Sequence, residues 1–142
     1  MKPKLIAYWI TTALATLPFL AGGIMDLSGS AEVTAGMAAL GYPAYFATIL
    51  GAWKVLSVPA VLLPGLPRVK EWAYAGMFFD LTGAAFSHAA VSDPASKVIT
   101  PLVIAGLLVA SWWLRPASRV LGTLPASPHA APSARPLTTQ VT

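Results

Sequence analysis

Three ionisable residues stand inside otherwise apolar stretches of this chain: Lys54, Asp80 and His88. A lysine and an aspartate in such surroundings suit a short list of tasks. They can neutralise each other as an ion pair, hold a small polar ligand, or pass a proton. Histidine adds a group that changes charge near neutral pH, and Ser87 beside it adds a hydroxyl. Lys54, Asp80, Ser87 and His88 are therefore the candidate ligand-binding residues, with Lys54 and Asp80 also a candidate buried ion pair. The competing reading is packing alone, in which a paired lysine and aspartate fix helix register. Arg68, Lys70 and Glu71 form a second charged cluster. Glu71 suits a helix start through the helix dipole, and local pairing with Arg68 or Lys70 is expected. No catalytic set emerges. The chain has no cysteine, no glycine-rich phosphate loop and no paired histidines for zinc or haem. His129 is remote from the apolar stretches, and no metal site is expected.

The elements that must position these residues follow from composition. Hydrophobic types make up 56% of the 142 residues, charged types 10%, and mean hydropathy is +0.69. A soluble domain is roughly a quarter charged, so the chain reads as membrane-embedded. About 20 helical residues cross the apolar core of a bilayer. Four segments come close: residues 5–24, 43–63, 72–91 and 98–114. Lys54 falls midway along the second and Asp80 midway along the third, so neighbouring antiparallel helices bring them to similar depth. The expectation is an all-α, up-down four-helix transmembrane bundle over residues 1–115. Residues 26–41 read as a short interfacial helix between spans one and two, with Ser30 as N-cap. On the third segment, Gly76, Asp80, Gly83, Ala84, Ser87 and His88 recur at helical spacing as a small and polar stripe suited to close packing. Gly51, Lys54, Ser57 and Val58 make a similar stripe on the second, and Thr12, Thr16 and Pro18 face the same interior from the first. Residues 116–142, rich in Pro, Ala, Ser and Thr, read as a disordered tail.

Charge distribution gives orientation. Lys2, Lys4, Arg68, Lys70, Arg115, Arg119 and Arg135 fall on one side of a four-span arrangement, and Lys97 alone falls on the other. The positive-inside rule then puts both termini in the cytoplasm and the protein in the inner membrane. Lys2 and Lys4 before an apolar run, with Ala13-Leu14-Ala15, also fit a signal peptide. The run continues to Ile24, which favours a retained first span. The expected partner is the lipid bilayer. Basic residues cluster on no helix face, so no nucleic-acid partner is expected.

Several local patterns resemble a known family. They are Leu40-Gly-Tyr-Pro43, Leu50-Gly-Ala-Trp-Lys54, Arg68-Val-Lys-Glu-Trp-Ala-Tyr-Ala-Gly76, Thr82-Gly-Ala-Ala-Phe-Ser-His88 and the Ser92-Asp93 turn. Together they resemble the DoxX-like family of small four-helix bacterial membrane proteins, over about residues 5–115. Lys54, Glu71, Gly76, Ser87 and His88 occupy the matching positions. The resemblance implies an accessory or small-ligand-binding subunit of a membrane redox or stress-response system. It also implies a quinone as candidate ligand and other membrane redox subunits as partners, while the missing catalytic arrangements lean against an activity of the chain's own. A small proton-coupled transporter working through Asp80, or a purely structural subunit, is the alternative. The small-residue face would equally serve a homo-oligomer.

Overall fold

The computed structural model describes residues 2–122. Within them the protein is all-helical: α1 Pro3–Ser28, α2 Ala31–Ala39, α3 Ala44–Leu62, α4 Pro67–Ala90 and α5 Ala95–Leu114, then a 3₁₀ turn at Ala117–Arg119. Proline punctuates the starts. Pro3 and Pro67 sit in the first turns of α1 and α4, and Pro43 and Pro94 cap α3 and α5. A missing N–H costs nothing there, because the first turn has no helical acceptor for it. At α2 the Ser30 hydroxyl accepts from the Val33 N–H at 3.3 Å.

Three helices, α1, α3 and α5, are long and apolar enough to cross a membrane. The helix α4 has the length at 24 residues, but carries Arg68, Lys70, Glu71 and Asp80. The long helices pack as a ring, α1 against α3 and α5, and α4 against α3 and α5, while α2 lies mainly on α3. Ala15, Phe19, Val58, Val61, Tyr74, Met77, Leu81, Ala105 and Leu108 meet at the centre, two or more from each long helix. Outward faces are equally apolar. Trp72 is 77% exposed, Phe86 76% and Trp113 75%. Such a surface suits lipid and would aggregate in water.

The structure departs from the sequence reading in three places. The first helix continues four residues past position 24 and takes Asp26 with it. On α4, the buried face is Lys70, Tyr74, Met77, Leu81 and Ala85. The small and polar stripe lies along a flank, with Gly76 and Gly83 exposed. Bulky apolar groups gain more by filling the centre than glycines do, so they displace the stripe from it. Residues 116–122 are also no featureless tail. Arg119 donates to the Val61 and Leu62 carbonyls at 3.3 and 2.9 Å, and its guanidinium lies 4.8 Å from the Trp9 ring centre. Residues 123–142 lie outside the described residues.

Candidate functional site

Lys54 projects from the middle of α3 toward two carboxylates on two other helices. Its ammonium donates to Asp26 Oδ2 of α1 at 2.9 Å. Asp80 Oδ2 of α4 lies 3.6 Å from the same nitrogen, an ion pair without a direct hydrogen bond. The Phe19 ring centre is 5.8 Å away. All three charged side chains are largely buried, at 14–18% exposure. One ammonium and two carboxylates give the cluster a formal charge of −1.

A backbone contact sets this geometry. The helices α1 and α3 meet at Gly23 and Gly51. A Cβ on Gly23 would stand 2.7 Å from the Lys54 Cβ, and one on Gly51 2.8 Å from the Gly23 carbonyl oxygen. Only glycines at both positions allow this approach, and it brings Asp26 within reach of Lys54.

Two members of the cluster, Lys54 and Asp80, line two cavities. The first, about 400 Å³, is lined by Lys54 and Asp80 together with Pro18, Gly22, His88 and Lys97. Pro18 and Pro101 both border it. Each lacks an N–H, so the carbonyls of Leu14 and Lys97 lose their helical donors. The second, about 470 Å³, is an apolar groove between α3 and α4 lined by Leu50, Trp53, Leu56, Trp72, Gly76 and Met77. Phe19, Lys54 and Asp80 belong to both.

The remaining candidates separate. His88 lines the first cavity with Lys54 and Asp80. Its Nδ1 lies 2.7 Å from Asp93 Oδ2, so its partner is a carboxylate in the turn after α4. The His88 hydrogen bond holds the Asp93 carboxyl below the usual carboxylate range, and Lys97 nearby adds to the effect. Ser87 does not join them. It donates to the Gly83 carbonyl at 2.9 Å and meets the Tyr42 hydroxyl at 2.9 Å. One residue along a helix turns a side chain by about 100°, which aims Ser87 at the α2–α3 loop.

The charged cluster at the start of α4 also dissolves. Glu71 pairs with neither Arg68 nor Lys70. Its Oε1 lies 2.7 Å from Arg115 Nη1, off the hydrogen-bonding direction, and its Oε2 accepts from Trp112 Nε1 at 2.9 Å. Arg115 follows α5 directly, so the pair ties the two ends together. Lys70 is fully buried and donates to the carbonyls of Ala60, Val61 and Leu63 at the end of α3. Arg68 makes no ion pair among the described residues.

Two features escape a reading by sequence. Asp26 sits in a break by hydropathy, and only the extra helical turn brings it to Lys54. A hydroxyl relay at the other end joins Thr12, Ser111 and Tyr74: Ser111 Oγ lies 2.6 Å from Thr12 Oγ1 and 2.8 Å from the Tyr74 hydroxyl. Thr12 thus faces α5 and not Lys54. A single serine near a helix end gives no periodic signal, and Tyr74 resembles any interfacial aromatic.

The model of the DoxX-like family matches residues 10–111. This stretch contains Asp26, Lys54, Asp80, His88, both glycines of the α1–α3 contact and the hydroxyl relay. Searches of curated proteins and of solved structures return no match.

Proposed function

We propose that this chain, which belongs to the DoxX-like family, is a four-span membrane subunit that binds a small polar ligand at Lys54. In this reading α4 is the fourth span. Its ionisable Asp80 turns toward Lys54, away from lipid, as charged groups at membrane depth must. Short connections then make the four spans alternate in direction. With both termini cytoplasmic, the Lys54 cluster lies in the outer half of the inner membrane. The chain acts as an accessory or binding subunit beside redox partners and performs no reaction alone. A quinone head is the candidate ligand, because its carbonyl oxygens would accept from the lysine ammonium.

One observation carries the proposal. Lys54 already has its counter-charges in Asp26 and Asp80, yet it lines two cavities, one polar and one apolar. Packing glue needs a paired lysine but not a cavity of each kind beside it. The test is chemical. Protein is extracted directly into lipid-retaining polymer discs, and its bound small molecules are identified by mass spectrometry. Wild-type protein is expected to carry one ligand at near-stoichiometric amount. A Lys54→Met variant of normal yield is expected to lose at least 90% of it, which for a nearly filled site takes a roughly hundredfold fall in affinity, about 2.8 kcal/mol. Equal ligand content in the two proteins would refute the proposal.

A further inference from the structure

The two cavities differ in what surrounds them, and the difference identifies the ligand class. The groove between α3 and α4 is almost wholly apolar. Its rims include Trp53, 68% exposed, and Trp72, 77% exposed. These outward faces meet lipid, so the groove opens to acyl chains. From Leu50 to Ala60 it follows α3 for about 15 Å at 1.5 Å per residue. Gly76 keeps it open, since a Cβ there would meet nothing within 4 Å. The other cavity carries the polar groups, Lys54, Asp80, His88, Ser96, Lys97 and Thr100. A molecule spanning both would have an oxygen-bearing head at Lys54 and an apolar chain along α3.

Charge narrows the head further. Both lysines of the head cavity already hold carboxylate partners, Lys54 with Asp26 and Asp80 and Lys97 with Asp93, so a carboxylate or phosphate head would find no unmatched cation there. A neutral head fits, with a carbonyl accepting from Lys54 or a hydroxyl donating to Asp80. Resting on the ligand-binding reading above, we infer that the ligand is a membrane-dissolved amphiphile with a small uncharged oxygen-bearing head. It enters sideways between α3 and α4, and its chain remains in the groove beside Gly76.

Binding to protein in phosphatidylcholine nanodiscs tests this. The probes are tritiated tetramethyl-benzoquinone and its trimethyl-decyl homologue, compared at equal mole fraction in the bilayer, with decanoic acid as competitor. Wild-type protein is expected to bind the decyl probe at least tenfold more tightly than the chain-free one, and decanoic acid should not compete. Gly76→Leu fills the groove and should weaken the decyl probe at least tenfold, leaving the chain-free probe unchanged. Ala73→Leu, on the same wall, repeats the test should Gly76→Leu fold poorly. Unchanged decyl affinity in these variants, or full competition by decanoic acid, would overturn the amphiphile while Lys54→Met still abolishes binding. The phospholipid acyl chains would then be the groove's occupant. If Lys54→Met changes nothing, or wild-type protein retains neither probe, the ligand-binding reading itself falls and the amphiphile with it.

Discussion

Replacing Gly51 with leucine is expected to destabilise the protein by about 3 kcal/mol or more and to abolish ligand retention as well. Even the first carbon of the new side chain has no room. It would stand 2.8 Å from the Gly23 carbonyl oxygen, 2.9 Å from Leu27 Cγ and 3.0 Å from Asp26 Cβ. The carbonyl is helix backbone and cannot swing aside, so α1 and α3 must part. Parting them pulls Asp26 from the Lys54 ammonium, because the 2.9 Å bond depends on the same approach. Gly83→Leu is the control. It adds the same bulk to an exposed face of α4, with nothing within 4 Å of its Cβ, and should leave stability within about 0.5 kcal/mol of wild type. Thermal unfolding in detergent and ligand content distinguish the two variants. Equal melting midpoints would show that the glycine contact does not hold α1 to α3.

Lys70→Met is expected to be the next most damaging single change, at about 3 kcal/mol, or a fall of roughly 10 °C in melting midpoint. The reason begins with Pro64. A helix leaves its last four carbonyls without helical donors, and Pro64, having no N–H, cannot serve Ala60. Two cations supply the donors. Lys70 reaches Ala60, Val61 and Leu63, and Arg119 reaches Val61 and Leu62. Both also suit the negative end of the α3 dipole. Methionine would match the lysine stem but leave the part-buried Ala60 and Leu63 carbonyls without their donor. Arg119→Met touches fewer carbonyls and keeps Lys70, so it should cost less than half as much. A Lys70→Met midpoint within 2–3 °C of wild type, an effect of about 1 kcal/mol or less, would contradict this account of the α3 terminus.

Much of the architecture was legible from hydropathy, because the solvent dictates it. Long uncharged runs between proline-rich breaks specify helices, and the Ser30 cap marks α2. The membership in the DoxX-like family was legible in local patterns such as Lys70-Glu-Trp-Ala-Tyr-Ala-Gly76. The depth argument that matched Lys54 to Asp80 also pointed to two residues lying 3.6 Å apart. What stayed hidden depends on partners brought together across helices. Asp26 is one turn beyond the apolar run and looks solvated. Gly23 has no special neighbour in sequence. Lys70 reads as a loop charge, yet its long stem lets it turn inward to carbonyls ten residues back. Ser87 and His88 are adjacent in sequence and diverge in space, since consecutive helical residues face different ways.

The proposed function rests on four crossings, three by the apolar helices α1, α3 and α5 and a fourth proposed for α4. A chain without cysteine allows a direct measurement. Single cysteines are placed at Ser30, Gly65, Ser92 and Ala117, one between each successive pair of the four long helices and one after α5. Intact spheroplasts are then treated with a membrane-impermeant maleimide. The account predicts labelling at positions 30 and 92, and labelling at 65 and 117 only after the membrane is permeabilised. Positions 65 and 92 labelled from the same side would mean that α4 does not cross. The Lys54 cluster would then not lie within the bilayer as described.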